Sequence, residues 1–182
     1  VFTLVRGASL CGVAALVLLI ISTSTDYWMQ YRYSGNAANQ GLWRFCINRR
    51  CHAHTLTVGE NTHTHTQLIY IQYSYVWVLV KMMCVFVCLA AFWDATRAFM
   101  LLSVLSCFAG VLLGLTASKR ARSRRVKTGG ITLLLSGFLA LLALSIYTGM
   151  TISYFGRRYI DWRFSWSFIL GWISVILALA AG

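Results

Sequence analysis

The sequence holds four acidic residues and no proline among 182. The carboxylates, Asp26, Glu60, Asp94 and Asp161, all fall at or outside the ends of the apolar segments. None lies inside a segment, where an ionisable group would mark a functional site by default. The chain has no glycine-rich phosphate loop and no nucleophile spaced against a base, so neither catalysis nor a cofactor is expected. Charged residues make up 11% of the chain, well short of a soluble domain's usual quarter. No Asn-x-Ser/Thr triplet occurs, and Asp94 in "WDAT" stands where an asparagine would complete one, so N-linked glycan is not expected.

What is present is apolar sequence, 59% of residues. The runs Gly7–Thr25, Ala98–Ser118 and Thr128–Phe155 carry no charge. Each reaches the roughly 20 residues that a helix needs to cross a bilayer. They predict spans at about 7–25, 98–118 and 131–154. A fourth, 164–182, is apolar to its last residue, as a span cut short. The first run lacks an Ala-x-Ala-like exit before Asp26 and reads as a retained span, not a signal peptide.

The net charge of +12 is concentrated. "KRARSRRVK" supplies Lys119, Arg120, Arg122, Arg124, Arg125 and Lys127 between the second and third spans. A short basic loop stays on the cytoplasmic side and meets anionic headgroups of the lipid bilayer. A cytosolic partner such as calmodulin is the alternative for this loop; nucleic acid is not expected. By parity the N-terminus is cytoplasmic and Asp26–Arg97 is a long outer loop of a multi-pass plasma-membrane protein. Gly156–Arg163 is then a second outer loop, whose Arg157, Arg158 and Arg163 weigh against this orientation without outweighing the inner loop. Gly110 and Gly114, with Ser118 further along the same face, suit close helix packing, within one chain or between two.

The outer loop opens "TDYWMQYRYSGNAANQGLWRFCINRRC". Cysteines at C-x4-C spacing outside a cell default to a disulfide, Cys46 with Cys51. So small a ring is expected to contribute about 2 kcal/mol.

Trp28 followed by "GLWRFC" and a second cysteine resembles the signature of the claudin and peripheral myelin protein superfamily. "TDYWMQYR", "QGLWRFC", "ATRAFM" and "GRRYIDWRFSWSFILGW" resemble its lens branch, and the likeness covers about residues 1–54 and 91–182. The resemblance implies an all-α membrane protein, a four-transmembrane helix bundle topped by a small extracellular antiparallel β-sheet. It implies that Trp28, Gly41, Leu42, Trp43, Cys46 and Cys51 hold that sheet together, and that Arg97 is the family's basic residue at the foot of the second span. The implied role is structural, in lens fibre-cell junction and adhesion, with homo-oligomers in cis and contact in trans. A channel-regulatory or paracellular-pore role is the alternative.

Residues 55–90 sit outside the likeness. The stretch "ENTHTHTQLIYIQYSYVWVLVKMMCVFVCLA" admits three readings. A metal site drawn from Cys46, Cys51, His52, His54, His63 and His65 has acceptable donors. It lacks an orienting carboxylate cluster and competes with the disulfide, so no metal is expected. A fifth span over Leu68–Trp93 must bury Lys81 at about 3 kcal/mol and puts the cysteines or the basic loop on the wrong side. The third reading is untranslated sequence read as protein, since CACACA repeats decode as alternating His and Thr. It is the favoured one, because family-like residues resume at Ala91-Phe92-Trp93. If translated, the stretch reads as a β-rich apolar segment prone to aggregate.

Overall fold

The computed structural model describes residues 2–33, 35–48, 50–53, 72–119, 123–157 and 161–182. Side-chain surroundings within these are described outside 2–6, 72–91, 117–119, 123, 154 and 155. Helix α1 (Phe2–Ser24) leads into strands β1 (Met29–Tyr33), β2 (Asn36–Gln40), β3 (Arg44–Ile47) and β4 (Arg50–Ala53). Then come α2 (Gln72–Lys119), α3 (Ser123–Met150) with a π-helical turn at Thr151–Phe155, β5 (Trp162–Phe164) and α4 (Trp166–Ala181). The protein is a four-helix membrane bundle with a small antiparallel sheet at one end.

Uncharged apolar runs become helices because a bilayer leaves no water for the backbone, and a helix satisfies its own polar groups. Gly7–Ser24, Phe92–Thr116 and Arg124–Ser153 are long and apolar enough to span. The 16 residues of α4 are equally apolar. Helix α1 packs on α2 and α4, and α3 on the same two, so the four close a ring. Leu10, Leu105, Ile131 and Ile176 stay largely exposed, as lipid-facing residues do. The interior takes Ala15, Leu19, Met100, Ala140 and Leu144. Apolar burial gives little drive in lipid, so interhelical hydrogen bonds matter. Ser103 on α2 and Ser136 on α3 supply them reciprocally: Ser103 Oγ donates to Ser136 O at 2.9 Å and Ser136 Oγ to Ser103 O at 2.8 Å.

The sheet runs in the order β4-β3-β2-β1-β5, antiparallel throughout. Its register sets Tyr31 against Ala38, Asn39 against Cys46 and Met29 against Phe164. Met29, Tyr31 and Ala38 form a second small core with Ile47 and Trp162. The β3–β4 turn places Asn48 in the left-handed region at φ 49°, a conformation asparagine tolerates better than most residues.

Three expectations need correction. The outer loop was expected to run to Arg97, yet α2 begins at Gln72. Asp94 and Arg97, which look like loop charges, pair with each other across one helical turn at 3.4 Å. Second, residues 72–90 are helical, not β-rich. A separate fifth span would need a chain reversal before the second, and Gln72–Lys119 is one helix without any. Third, the basic stretch is not all loop: Lys119 ends α2, and Arg124, Arg125 and Lys127 belong to the first turns of α3. Arg120 and Arg122 lie outside the described residues, as do Glu60, His54, His63 and His65.

Candidate functional site

The residues of interest gather at the sheet end, beginning where α1 stops. In "STSTDYW", hydroxyls turn back onto the helix: Thr23 Oγ1 donates to Leu19 O and Thr25 Oγ1 to Ile21 O. These bonds let polar residues end an apolar helix without leaving donors stranded in lipid. Trp28, fully buried, follows directly. Its indole Nε1 donates to Ser22 O at 2.6 Å. Its ring meets Tyr147 edge-on at 4.9 Å and Phe168 at 5.9 Å. Its amide donates to Gln40 O, and its carbonyl accepts from the Ser165 amide. One residue thus joins α1, the sheet, α3 and the start of α4.

The Gly41-Leu42-Trp43 turn is the second tie. A side-chain carbon at Gly41 would overlap Asp26 Cα and lie 2.9 Å from Thr25 O, so only glycine fits. Leu42 is fully buried in the main core. Trp43 Nε1 donates to Thr23 O at 2.8 Å. Arg97 reaches over from α2: its Nε donates to Leu42 O at 2.9 Å, and its guanidinium sits 5.3 Å from the Trp43 ring centroid. Such a cation over an indole adds about 1 kcal/mol or more when shielded from water. Asp26 pairs with Arg44 at 2.8 Å. Cys46 and Cys51, opposite each other on β3 and β4, are joined as a disulfide.

Trp28, Gly41, Leu42, Trp43 and Arg97 therefore form one assembly, and the disulfide staples the strand pair beside it. Gly110 and Gly114 lie elsewhere, at the far end of the bundle. A side-chain carbon at Gly110 would sit 2.8 Å from Leu133 Cγ, so this position packs α2 on α3 within the chain. At Gly114 the nearest atom is Ser9 Oγ at 3.5 Å, so that position is roomy. The Ser118 side chain lies outside those described. Among the described residues no three metal-ligating side chains come together.

Sequence reasoning missed a lacing between α1 and α4. Ser22 Oγ donates to Ser167 O at 2.9 Å, Ser167 Oγ donates to Ser22 O at 3.1 Å, and the Thr25 and Ser167 hydroxyls lie 2.6 Å apart. Its only signal was the run of small hydroxyl residues on both sides, "STST" and "SWS".

A tryptophan-anchored sheet, a Gly-Leu-Trp turn, a paired disulfide and an arginine from the second helix occur here together on a four-helix membrane bundle. The model of the PMP-22/EMP/MP20/Claudin family matches residues 2–182. The chain belongs to that family. This family member is 37% identical over 185 residues to lens fiber membrane intrinsic protein of Bos taurus, covering 100% of the chain and 88% of the relative. It is 36% identical to the Homo sapiens protein of the same name, with the same coverage. A more distant family match, claudin domain-containing protein 2 of Mus musculus, is 26% identical over 184 residues, covering 99% of the chain and 83% of the relative.

Proposed function

We propose that this protein is a structural component of cell–cell contacts, multi-pass in the plasma membrane, with the sheet outside the cell and the N-terminus in the cytoplasm. The observation that carries this reading is the sheet end itself, tied to all four helices and stapled by Cys46–Cys51. A disulfide suits an oxidising exterior. Arg124, Arg125 and Lys127 at the opposite end suit the cytoplasmic face. The two indications agree on one orientation. A rigid plate standing on a bundle is the form of a docking element, and we assign it no catalytic role. The names of the mammalian relatives support a place among the structural constituents of the eye lens. Copies then associate side by side in one membrane and meet sheet to sheet across the gap between fibre cells.

A groove of about 750 Å³ along the sheet, walled by Gln30, Arg32, Asn39, Asp161, Trp162 and Arg163, favours a second reading, a paracellular-pore or channel-regulatory role. Cells expressing the protein separate the two. Increased aggregation of suspended cells is expected under the structural reading; changed ionic conductance with unchanged aggregation would refute it. Cys46→Ser is expected to abolish the mobility shift on non-reducing gels and reduce surface delivery; unchanged delivery removes the disulfide from the argument.

The His–Thr run, which CACACA repeats would encode, supports reading residues 55–90 as untranslated sequence read as protein. Full-length transcript sequencing from Cys51 to Trp93 checks this. A main transcript without them supports this reading, and a transcript that retains them in frame overturns it.

A further inference from the structure

We propose that the groove along the polar face of the sheet binds a terminal sialic acid, a sugar with one carboxylate and many hydroxyls, carried on a glycan of another molecule. The proposal rests on the reading that the sheet stands outside the cell. The groove has a volume of about 750 Å³, a size common among small-molecule sites. Successive residues of a strand point to opposite faces. Tyr31, Ala38 and Trp162 turn toward the small core that they share with Met29 and Ile47. The side chains left to wall the groove are Gln30, Arg32, Ala37, Asn39, Asp161 and Arg163. All but Ala37 are polar. A protein partner is anchored by aromatic or large apolar side chains in a desolvated centre, and this face offers none.

The register gathers the polar groups into one set. Gln30 stands opposite Asn39 on β2 and opposite Arg163 on β5, and Arg32 follows two residues along β1 on the same face. Arg163 Nε donates to Gln30 Oε1 at 3.1 Å, which positions the guanidinium and leaves its terminal nitrogens as a fork for a carboxylate. A group held in advance loses less freedom on binding. The ion pairs among the described residues are Arg44–Asp26 and Arg97–Asp94, so Arg32 and Arg163, both exposed, are not neutralised within them. With Asp161 in the same walls, two guanidiniums and one carboxylate leave one positive charge, the complement of a monoanion. Asp161 also decides the class of sugar: its carboxylate accepts from hydroxyls and repels the dense charge of a sulfated polysaccharide. Gln30 and Asn39 both donate and accept, as a polyhydroxylated ring requires. A second copy of the sheet would bring the same net charge to the groove, like sign against like. No Asn-x-Ser/Thr triplet occurs, so no N-linked glycan of the chain itself competes for the site.

The whole chain in phosphatidylcholine nanodiscs is titrated with sialyllactose, with lactose and with a heparin tetrasaccharide, and binding is read by saturation-transfer NMR. Sialyllactose is expected to bind and lactose is not. Arg32→Gln and Arg163→Gln are each expected to weaken sialyllactose on the order of tenfold or more. Asp161→Asn is expected to weaken sialyllactose and strengthen the heparin fragment, opposite shifts that a loss of folding does not give. Equal binding of sialyllactose and lactose, or tighter binding of the heparin fragment to the unaltered chain, overturns the proposal. Should Arg163→Gln loosen β5 by releasing Gln30, Arg32→Gln removes no ion pair among the described residues and keeps the test; undiminished binding in it overturns the proposal. Binding in nanodiscs reads the groove whichever side the sheet faces, and aggregation of suspended cells reads the contact role, so either can fail while the other stands.

Discussion

The two ends of this bundle are held by different means. At the sheet end nearly every contact is specific: an indole on a carbonyl, an arginine on a carbonyl and a ring, hydroxyls exchanged between α1 and α4. At the far end the helices meet through small residues, and α2 and α3 pack closely at Gly114 and Gly129. Water reaches only the mouth of a membrane bundle. A sheet standing beyond the bilayer needs directional bonds to fix its attitude, whereas helices packed on one another gain from close backbone approach. Substitutions at the sheet end should therefore be costly in proportion to the bonds they break, and those at the far end in proportion to the space they fill.

The strongest test of that contrast is Trp28→Ala. It removes a fully buried ring from Tyr147 and Phe168 and leaves Ser22 O without its donor. A loss of about 3–5 kcal/mol is expected, read as a lowered thermal transition in detergent and retention of the protein inside the cell. Gly41→Ala comes next, at about 3 kcal/mol, because the added carbon meets the Asp26 backbone and not a movable side chain. Its partner in the comparison is Gly114→Ala. There the same chemical change is expected to leave the thermal transition unchanged or raise it slightly, since alanine gains up to about 1 kcal/mol of helix propensity over glycine. If the two substitutions shift stability equally, the contrast between the ends is wrong. The smallest expected loss is Ser103→Ala, in the middle of the bundle. Intramembrane hydrogen bonds average about 0.6 kcal/mol, so a modest fall in chemical-denaturation midpoint is expected, with no change in surface delivery.

Much of this contrast was legible in the sequence. The uncharged runs fall within three long apolar helices, α1, α2 and α3, although Asp94 and Arg97 disguised how early α2 begins. Those two charges satisfy each other on the helix surface, so they end no helix. Trp28, Gly41, Leu42, Trp43 and Arg97 were readable as a set only through the family's pattern. Spacing along the chain carries no sign that an arginine 55 residues away would bond to Leu42 O. Strand β5 was invisible, because three residues, Trp162–Phe164, give no period to detect and owe their form to pairing with β1. The serine lacing was equally hidden: hydroxyls at a span end look like a polar exit until the opposite helix is in place.

Arg97 lies on the same helix that runs from Gln72 through the membrane to Lys119, and its bond to Leu42 fixes the Gly-Leu-Trp turn to that helix. A helix changes its inclination when the bilayer around it thickens or thins. Any such lean of α2 is handed through the guanidinium to the strands, so the angle of the sheet to the bilayer is coupled to the thickness of the membrane beneath it.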